Sequence, residues 1–322
     1  MIHTLHKTEH PLSNWTAAQM PDLTGKIAVV TGANSGLGFH TARELAAHGA
    51  HVVLACRGRD KTEAAMKDIT ASVAAAKLEF MALDLADLVS IAEFARAFTA
   101  KHKALHILHN NAGVMALPLV RTQQGFEMQI GTNHLGHFAL TGQLLDVLQA
   151  TPGARVVSTA SMAHTWTRGM DLDDLNWEHK PYKKWDAYGK TKLANLLFIY
   201  EMNRRLAKAG SSVVAVAAHP GYAATNLQGA GPAMERSWLG GLMMKIGNAV
   251  LAQPAEMGAL PQEYAATMPD VRGGEYYGPN QLRGNRGYPT KVGSSRASRD
   301  ETVAAQLWAL SEKLTGVRYL SS

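Results

Sequence analysis

Between residues 27 and 218, short and largely β-branched runs alternate with longer Ala- and Leu-rich stretches, and no other feature constrains the fold as much. Ile27 to Thr31, His51 to Cys56, Leu78 to Leu83, Leu105 to His109, Arg155 to Thr159 and Val213 to Ala218 read as strands. Helical spacing covers Gly36 to His48, Lys61 to Ala75, Leu88 to Lys101, Gly125 to Gln149 and Ala187 to Ala209. Strands separated by helical crossovers predict an α/β fold, a Rossmann-type doubly wound parallel sheet. Length alone, 322 residues, suggests about two domains, but no linker or repeat breaks the alternation. One domain is expected over 23–292, with an N-terminal extension at 1–22 and a C-terminal tail at 293–322. The tail reads as polar and mobile to Asp300, then helical from Glu301 to Leu314.

Composition removes several classes of function. Hydrophobic residues at 46% and charged residues at 18% fit a globular protein with a large core. The single cysteine, Cys56, excludes an internal disulfide and a thiolate-rich metal site. His134, His137, His164 and His219 lack a companion set of acids, so no metal is expected. The net charge of +6 is spread along the chain, without the basic stripe of a nucleic-acid binder. Such a mild excess suits a small anionic ligand. No run approaches the ~18 apolar residues of a membrane span, since Leu239 to Ala252 is cut by glycines, Lys245 and Asn248. The first residues carry no apolar signal core, so a cytoplasmic location is expected.

The first strand runs into Thr31-Gly32-Ala33-Asn34-Ser35-Gly36-Leu37-Gly38 and then a helix. Glycines permit a tight turn and close approach of backbone to a diphosphate, while the helix start offers free N–H groups and the positive end of its dipole. NAD sites commonly carry an acid at the end of the second strand. Here the chain reads Ala55-Cys56-Arg57-Gly58-Arg59, with no acid before Asp60. A guanidinium can grip a 2′-phosphate in a bidentate way, so NADP(H) is the expected cofactor, with Arg57 its main contact and NAD(H) the alternative.

Tyr188 and Lys192 lie one turn apart on a predicted helix face. An ammonium at that spacing is expected to lower the phenol from its ordinary pKa of ~10 by roughly 2–3 units, toward the range of general acid-base catalysis. Ser161 ends the fifth strand, Asn110-Asn111-Ala112-Gly113 follows the fourth, and Asn133 lies between them. These fall at or near the carboxyl edge of the sheet, where doubly wound folds bind ligands.

Together these residues resemble the short-chain dehydrogenase/reductase family. Its marks occur in order over about residues 24 to 225: Thr31-Gly32-xxx-Gly36-x-Gly38, Asp84, Asn110-Asn111-Ala112-Gly113, Asn133, Ser161, Tyr188-xxx-Lys192 and Pro220-Gly221. Ala55-Cys56-Arg57, Ser161-Met162-Ala163-His164 and the run from Tyr188 to Asn195 look like the retinol-dehydrogenase-like branch and similar bacterial reductases. The resemblance implies that Tyr188 exchanges a proton with the substrate oxygen, Ser161 hydrogen-bonds that oxygen, and Lys192 holds the ribose and tunes Tyr188. It implies that Asn133 anchors a proton-relay water. Gly32, Ser35, Gly36, Leu37 and Gly38 would cradle the diphosphate. Asp84 and Leu85 would meet the adenine, Asn111, Ala112 and Gly113 its ribose, and Pro220, Gly221 and Thr225 the nicotinamide end. The implied function is interconversion of a hydrophobic ketone or aldehyde and its alcohol by hydride transfer. A binding protein that senses NADP(H) without turnover is the alternative of another class, disfavoured by the complete Asn133, Ser161, Tyr188, Lys192 set.

Two departures stand out. Tyr188 follows Ser161 by 27 positions, where many family members have about half that. The added residues include Trp166, Trp177, Tyr182 and Trp185, which could wall the substrate site or cover a helix face that family members use to dimerise. Monomer and homo-oligomer both remain open. Residues 223–252 are rich in Gly, Met and Leu and read either as a lid over a lipophilic substrate or as a packed helix.

Overall fold

The computed structural model describes residues 14–223 and 253–320. Strands β1 (Ile27–Thr31), β2 (His51–Cys56), β3 (Lys77–Ala82), β4 (Ile107–Asn110), β5 (Arg155–Thr159) and β6 (Val214–Ala218) lie where the sequence places them. Helices α1 (Gly36–Ala47), α2 (Arg59–Ser72) and α3 (Leu88–Lys101) make the first crossovers. The sheet order is β3-β2-β1-β4-β5-β6, continued by β7 (Tyr276–Gln281) and β8 (Arg286–Lys291), and it is parallel throughout except for β8. The chain reverses its winding between β1 and β4, which opens a crevice beyond their carboxyl ends.

Both faces are buried along the central strands β1, β2, β4, β5 and β6, whose residues are largely apolar, while β3 at the edge is only partly covered. Val29 and Val53 face one layer, with Phe94, Phe98 and Phe138. Ala28, Val30 and Leu54 face the other, with Leu45, Leu260 and Tyr264. Of the segment read as an extension, the described part packs into this second layer: Trp15 and Met20 are buried, and the Trp15 ring stands edge-on to Tyr264 at 5.2 Å.

The helix expected from Gly125 to Gln149 is shorter and interrupted. Gly125 has φ +81° and sits in a turn closed by an Arg121–Glu127 bridge. Glu127 then caps α4 (Met128–Ile130), accepting from the Gln129 and Ile130 N–H groups. A wide π-turn follows (Gly131–Leu135), then α5 (Gly136–Gln143) and α6 (Leu145–Gln149), separated at Leu144. Helix α7 (Lys184–Lys208) starts three residues before its expected position.

Three elements escaped the reading of six strands. Helix α8 (Ala255–Thr267) carries Pro261, while β7 (Tyr276–Gln281) and β8 (Arg286–Lys291) place Pro279 opposite Pro289. Proline and glycine hide strands from periodicity; β8 is the edge strand, and β7 pairs with β6 only at Tyr276 and Tyr277, so neither Pro289 nor Pro279 breaks a further ladder.

The tail is not loose. Ser298 is buried, and the Ser295 N–H donates to His164 Nε2 at 3.1 Å. Helix α9 (Glu301–Thr315) lies on α7, with Trp308 stacked on Phe198 and Leu307 beside Leu193 and Leu197. Leu175, from the insertion after β5, joins the same cluster. Tail and insertion therefore cover α7 together. No described helix is long and apolar enough to cross a membrane.

Candidate active site

The crevice between β1 and β4 opens into a cavity of about 1100 Å³. At one end lies the glycine loop. Gly32 and Gly36 have φ of +67° and +56°, which L side chains rarely adopt. A Cβ on Gly38 would come within 2.5 Å of the Gly32 carbonyl oxygen and of Asn111 Nδ2, so helix α1 can seat against the loop only with glycine there. Ser35 is the N-cap of α1, yet its side chain caps no N–H, which leaves the helix start open toward the cavity. This donor set fits a diphosphate.

Arg57 lies exposed on the wall beyond β2 and is in no ion pair among the described residues. Arg59 instead pairs with Glu63 at 3.1 Å and covers the Phe80 ring. Asp84 and Leu85 also line the cavity, and the Asp84 carboxylate accepts from the Ala86 N–H at 2.9 Å.

A buried network ties the loop to the strand beside it. Thr31 Oγ1 accepts the N–H groups of Asn111 and Ala112, both at 2.9 Å, and Asn111 Nδ2 donates to the Thr31 carbonyl at 2.8 Å. His137 joins in from α5: Nε2 is 3.0 Å from Thr31 Oγ1, and Nδ1 is 3.1 Å from the Asn133 carbonyl. Gln262 of α8 links Thr41, Thr159 and Asn111. Neither His137 nor Gln262 belongs to a spacing that sequence could read; only packing brings them here.

At the other end stand Ser161, Tyr188 and Lys192. Ser161 follows β5, where its Oγ caps a short 3₁₀ turn (Met162–Thr165) by accepting the Ala163 N–H at 3.1 Å. That turn approaches α7 closely because residue 189 is glycine: a Cβ there would lie 2.9 Å from the Ala163 carbonyl oxygen. Tyr188 is thereby brought beside Ser161 at the cavity wall. Lys192 is buried, its Nζ 5.7 Å from the Tyr188 ring centre and donating to the Thr159 carbonyl at 2.9 Å. Asn133 is fully buried in the π-turn. Its side chain grips the Val114 backbone, accepting the N–H at 2.8 Å and donating to the carbonyl at 2.9 Å, and it also donates to Thr191.

The electrostatics differ from the expectation drawn from helix spacing. Burial pushes the Tyr188 phenol up to about 12, with the Ser161 hydrogen bond working against it. Burial also lowers the Lys192 ammonium to about 8. One Lys192 donor is directed to the Thr159 carbonyl, and desolvation outweighs the attraction that the spacing promised. The phenol therefore holds its proton at neutral pH.

Met162, Trp166 and Trp185 surround the approach to Tyr188. The Trp185 ring is 6.5 Å from the Tyr188 ring and 5.9 Å from that of Trp166. Trp177 and Tyr182, from the same insertion, turn away and pack together; the Tyr182 hydroxyl donates to Glu127 at 2.9 Å. Pro220 and Gly221 close the far wall with Asn285, which sequence gave no reason to single out. Gly221 has φ +66° and a Cβ there would meet the Asn285 carbonyl oxygen at 2.3 Å. Thr225 and the possible lid, apart from Ala223, lie outside the described residues.

Comparison with known proteins gives consistent relatives. The short chain dehydrogenase family model matches residues 26–171. Human retinol dehydrogenase 13 is 40% identical over 92% of this chain and 86% of its own length. A crystal structure of an uncharacterized protein from Mycobacterium paratuberculosis is 44% identical, covering 95% of this chain and 99% of that one, with a TM-score of 0.78. A protein from Beutenbergia cavernae, described as an NAD(P)-dependent gluconate 5-dehydrogenase and solved with NADP at low occupancy, is 25% identical over 76% of this chain and 91% of its own, with a TM-score of 0.58.

Proposed function

Because the chain belongs to the short-chain dehydrogenase/reductase family, in its retinol-dehydrogenase-like branch, we propose that it is an NADP(H)-dependent oxidoreductase interconverting a hydrophobic ketone or aldehyde and its alcohol. The observation that carries this reading is the convergence of Ser161, Tyr188 and Lys192 on one end of a cavity whose other end is the glycine loop. When bound, the nicotinamide cofactor supplies or takes up the hydride.

The chain's own groups do the rest. Tyr188, protonated at neutral pH, donates its proton to the substrate oxygen during reduction and takes it back during oxidation. Ser161 hydrogen-bonds the same oxygen and fixes its position. Lys192 holds the ribose hydroxyls. Asn133 holds the loop after β4 through Val114, and it would anchor a relay water. Gly32, Ser35, Gly36, Leu37 and Gly38 receive the diphosphate; Asp84 and Leu85 receive the adenine, and Asn111, Ala112 and Gly113 its ribose. Pro220 and Gly221 would meet the nicotinamide end, a role the family resemblance also gives to Thr225. Arg57 receives the 2′-phosphate. The tryptophans and methionines at the entrance favour a lipophilic substrate.

The test is a panel of hydrophobic carbonyl compounds and alcohols assayed by NADPH absorbance. Turnover is expected with at least one, and Tyr188→Phe should abolish it while NADPH still binds. Full turnover in that variant would overturn the assigned roles, and tight NADPH binding with no turnover across the panel would favour a sensor. Arg57→Asp should raise the KM for NADPH by about tenfold or more, the cost of a lost charge-assisted contact and an added repulsion. A parent protein that binds NADH as tightly as NADPH would overturn the cofactor preference.

A further inference from the structure

At the amino edge of the sheet, a strand's length from the catalytic cavity, three side chains that can ligate a metal converge: His51 at the start of β2, Glu79 in β3 and His102 just after α3. We propose that they form a site for a divalent cation of borderline softness, zinc being the best fit. His51 Nε2 lies 3.4 Å and His102 Nε2 3.1 Å from the same oxygen, Glu79 Oε2. All three ligand atoms lie within 4.8 Å of one another. Zinc–nitrogen and zinc–oxygen bonds of about 2.0–2.2 Å in a tetrahedron set a ligand-to-ligand edge of roughly 3.3–3.6 Å. Two edges are thus at or near that spacing without a cation present.

The donors are held by rigid parts. His102 is buried and packs on the Phe98 ring at 4.8 Å, with the His51 ring edge-on to it at 5.3 Å. His51 is partly exposed and provides the way in, leaving a fourth position for water.

Two cations face the cluster. Lys77 is the register partner of His51, and Lys101 Nζ lies 2.8 Å from Glu79 Oε1. Lys101 is 60% exposed, so its ammonium can swing into water as the metal enters. A neutral imidazole that ligates through Nε2 carries its proton on Nδ1, so binding fixes that tautomer in both rings and crosslinks β2, β3 and the end of α3. The expected effect is stabilisation with no change in catalysis, because none of the three residues lines the cavity.

The test uses the full-length chain without an affinity tag, stripped with a chelator and titrated calorimetrically with zinc chloride at neutral pH. One equivalent should bind with micromolar affinity or better and raise Tm, with NADPH turnover unchanged. Cobalt in its place should give the intense visible bands of a tetrahedral ion. Glu79→Gln and His102→Ala should each weaken binding by at least about tenfold, loss of one of three ligands being the cause. His51→Ala, at the more exposed position, guards against misfolding and should do the same while turnover is kept. Absence of zinc binding would reduce the cluster to a plain ion-pair network and overturn the proposal, as would unchanged binding in all three variants.

Discussion

At the scale of single residues, chemistry was legible where one residue type is the only solution. Gly38 is such a case: the loop's own backbone fills the space a side chain would need. Gly38→Ala should therefore weaken NADPH binding by about tenfold and cost ~1–3 kcal/mol of stability, as overpacking against backbone does. Fluorescence titration and thermal unfolding would check both, and a variant with the parent's affinity would show that the loop tolerates displacement. Tyr188 and Lys192 show the opposite limit. Their spacing was visible in the sequence, but the direction of the Tyr188 shift was not, because burial and the Thr159 carbonyl appear only in the fold.

At the scale of elements, the π-turn at Gly131–Leu135 shapes the site most. Its residues have an ordinary helical pattern, so nothing in their spacing reveals the extra residue in the turn. The widened turn turns the Asn133 side chain onto Val114 and gives its carbonyl to His137, which in turn meets Thr31. His137 thereby couples α5 to β1 and the glycine loop. His137→Ala should cost about 1–3 kcal/mol, because buried partners on Thr31 and Asn133 lose a hydrogen bond. It should also lower kcat more than it raises the KM for NADPH, since it orients the residues around Tyr188 rather than binding cofactor. Loss of stability with unchanged kcat would leave it a packing residue. His137→Gln, which can keep one of the two bonds, should recover part of both.

At the scale of the molecule, the buried histidines set the response to acid. Burial lowers His109, His134 and His219 to about 3 and His137 to about 4. Their contribution is complete above the ordinary histidine value and is lost as pH falls toward 3–4, because the unfolded chain takes up protons that the folded one refuses. Each is worth up to ~1.4 kcal/mol per pH unit in that window. Glu263, raised by burial, opposes them with a single proton. Denaturant unfolding at pH 7 and pH 5 should differ on the order of 5 kcal/mol, a large part of a typical domain's stability. Equal stability at the two values would mean that these imidazoles are hydrated or paired in solution.

The succession of strands and crossovers and the single domain were legible in the sequence alone, because backbone periodicity and chain connectivity are local properties, and motif spacing singled out Ser161, Tyr188 and Lys192 as candidates. Tertiary structure decided the rest. It added β7, β8 and α8, whose prolines and glycines give no periodic signal but find their place against β6 and α1. It turned the tail into a cover for α7. It made His137 and Gln262 part of the site, since contacts between residues more than a hundred positions apart come only from packing. It set the protonation of Tyr188, because desolvation belongs to the folded interior and cannot be read from spacing along a helix.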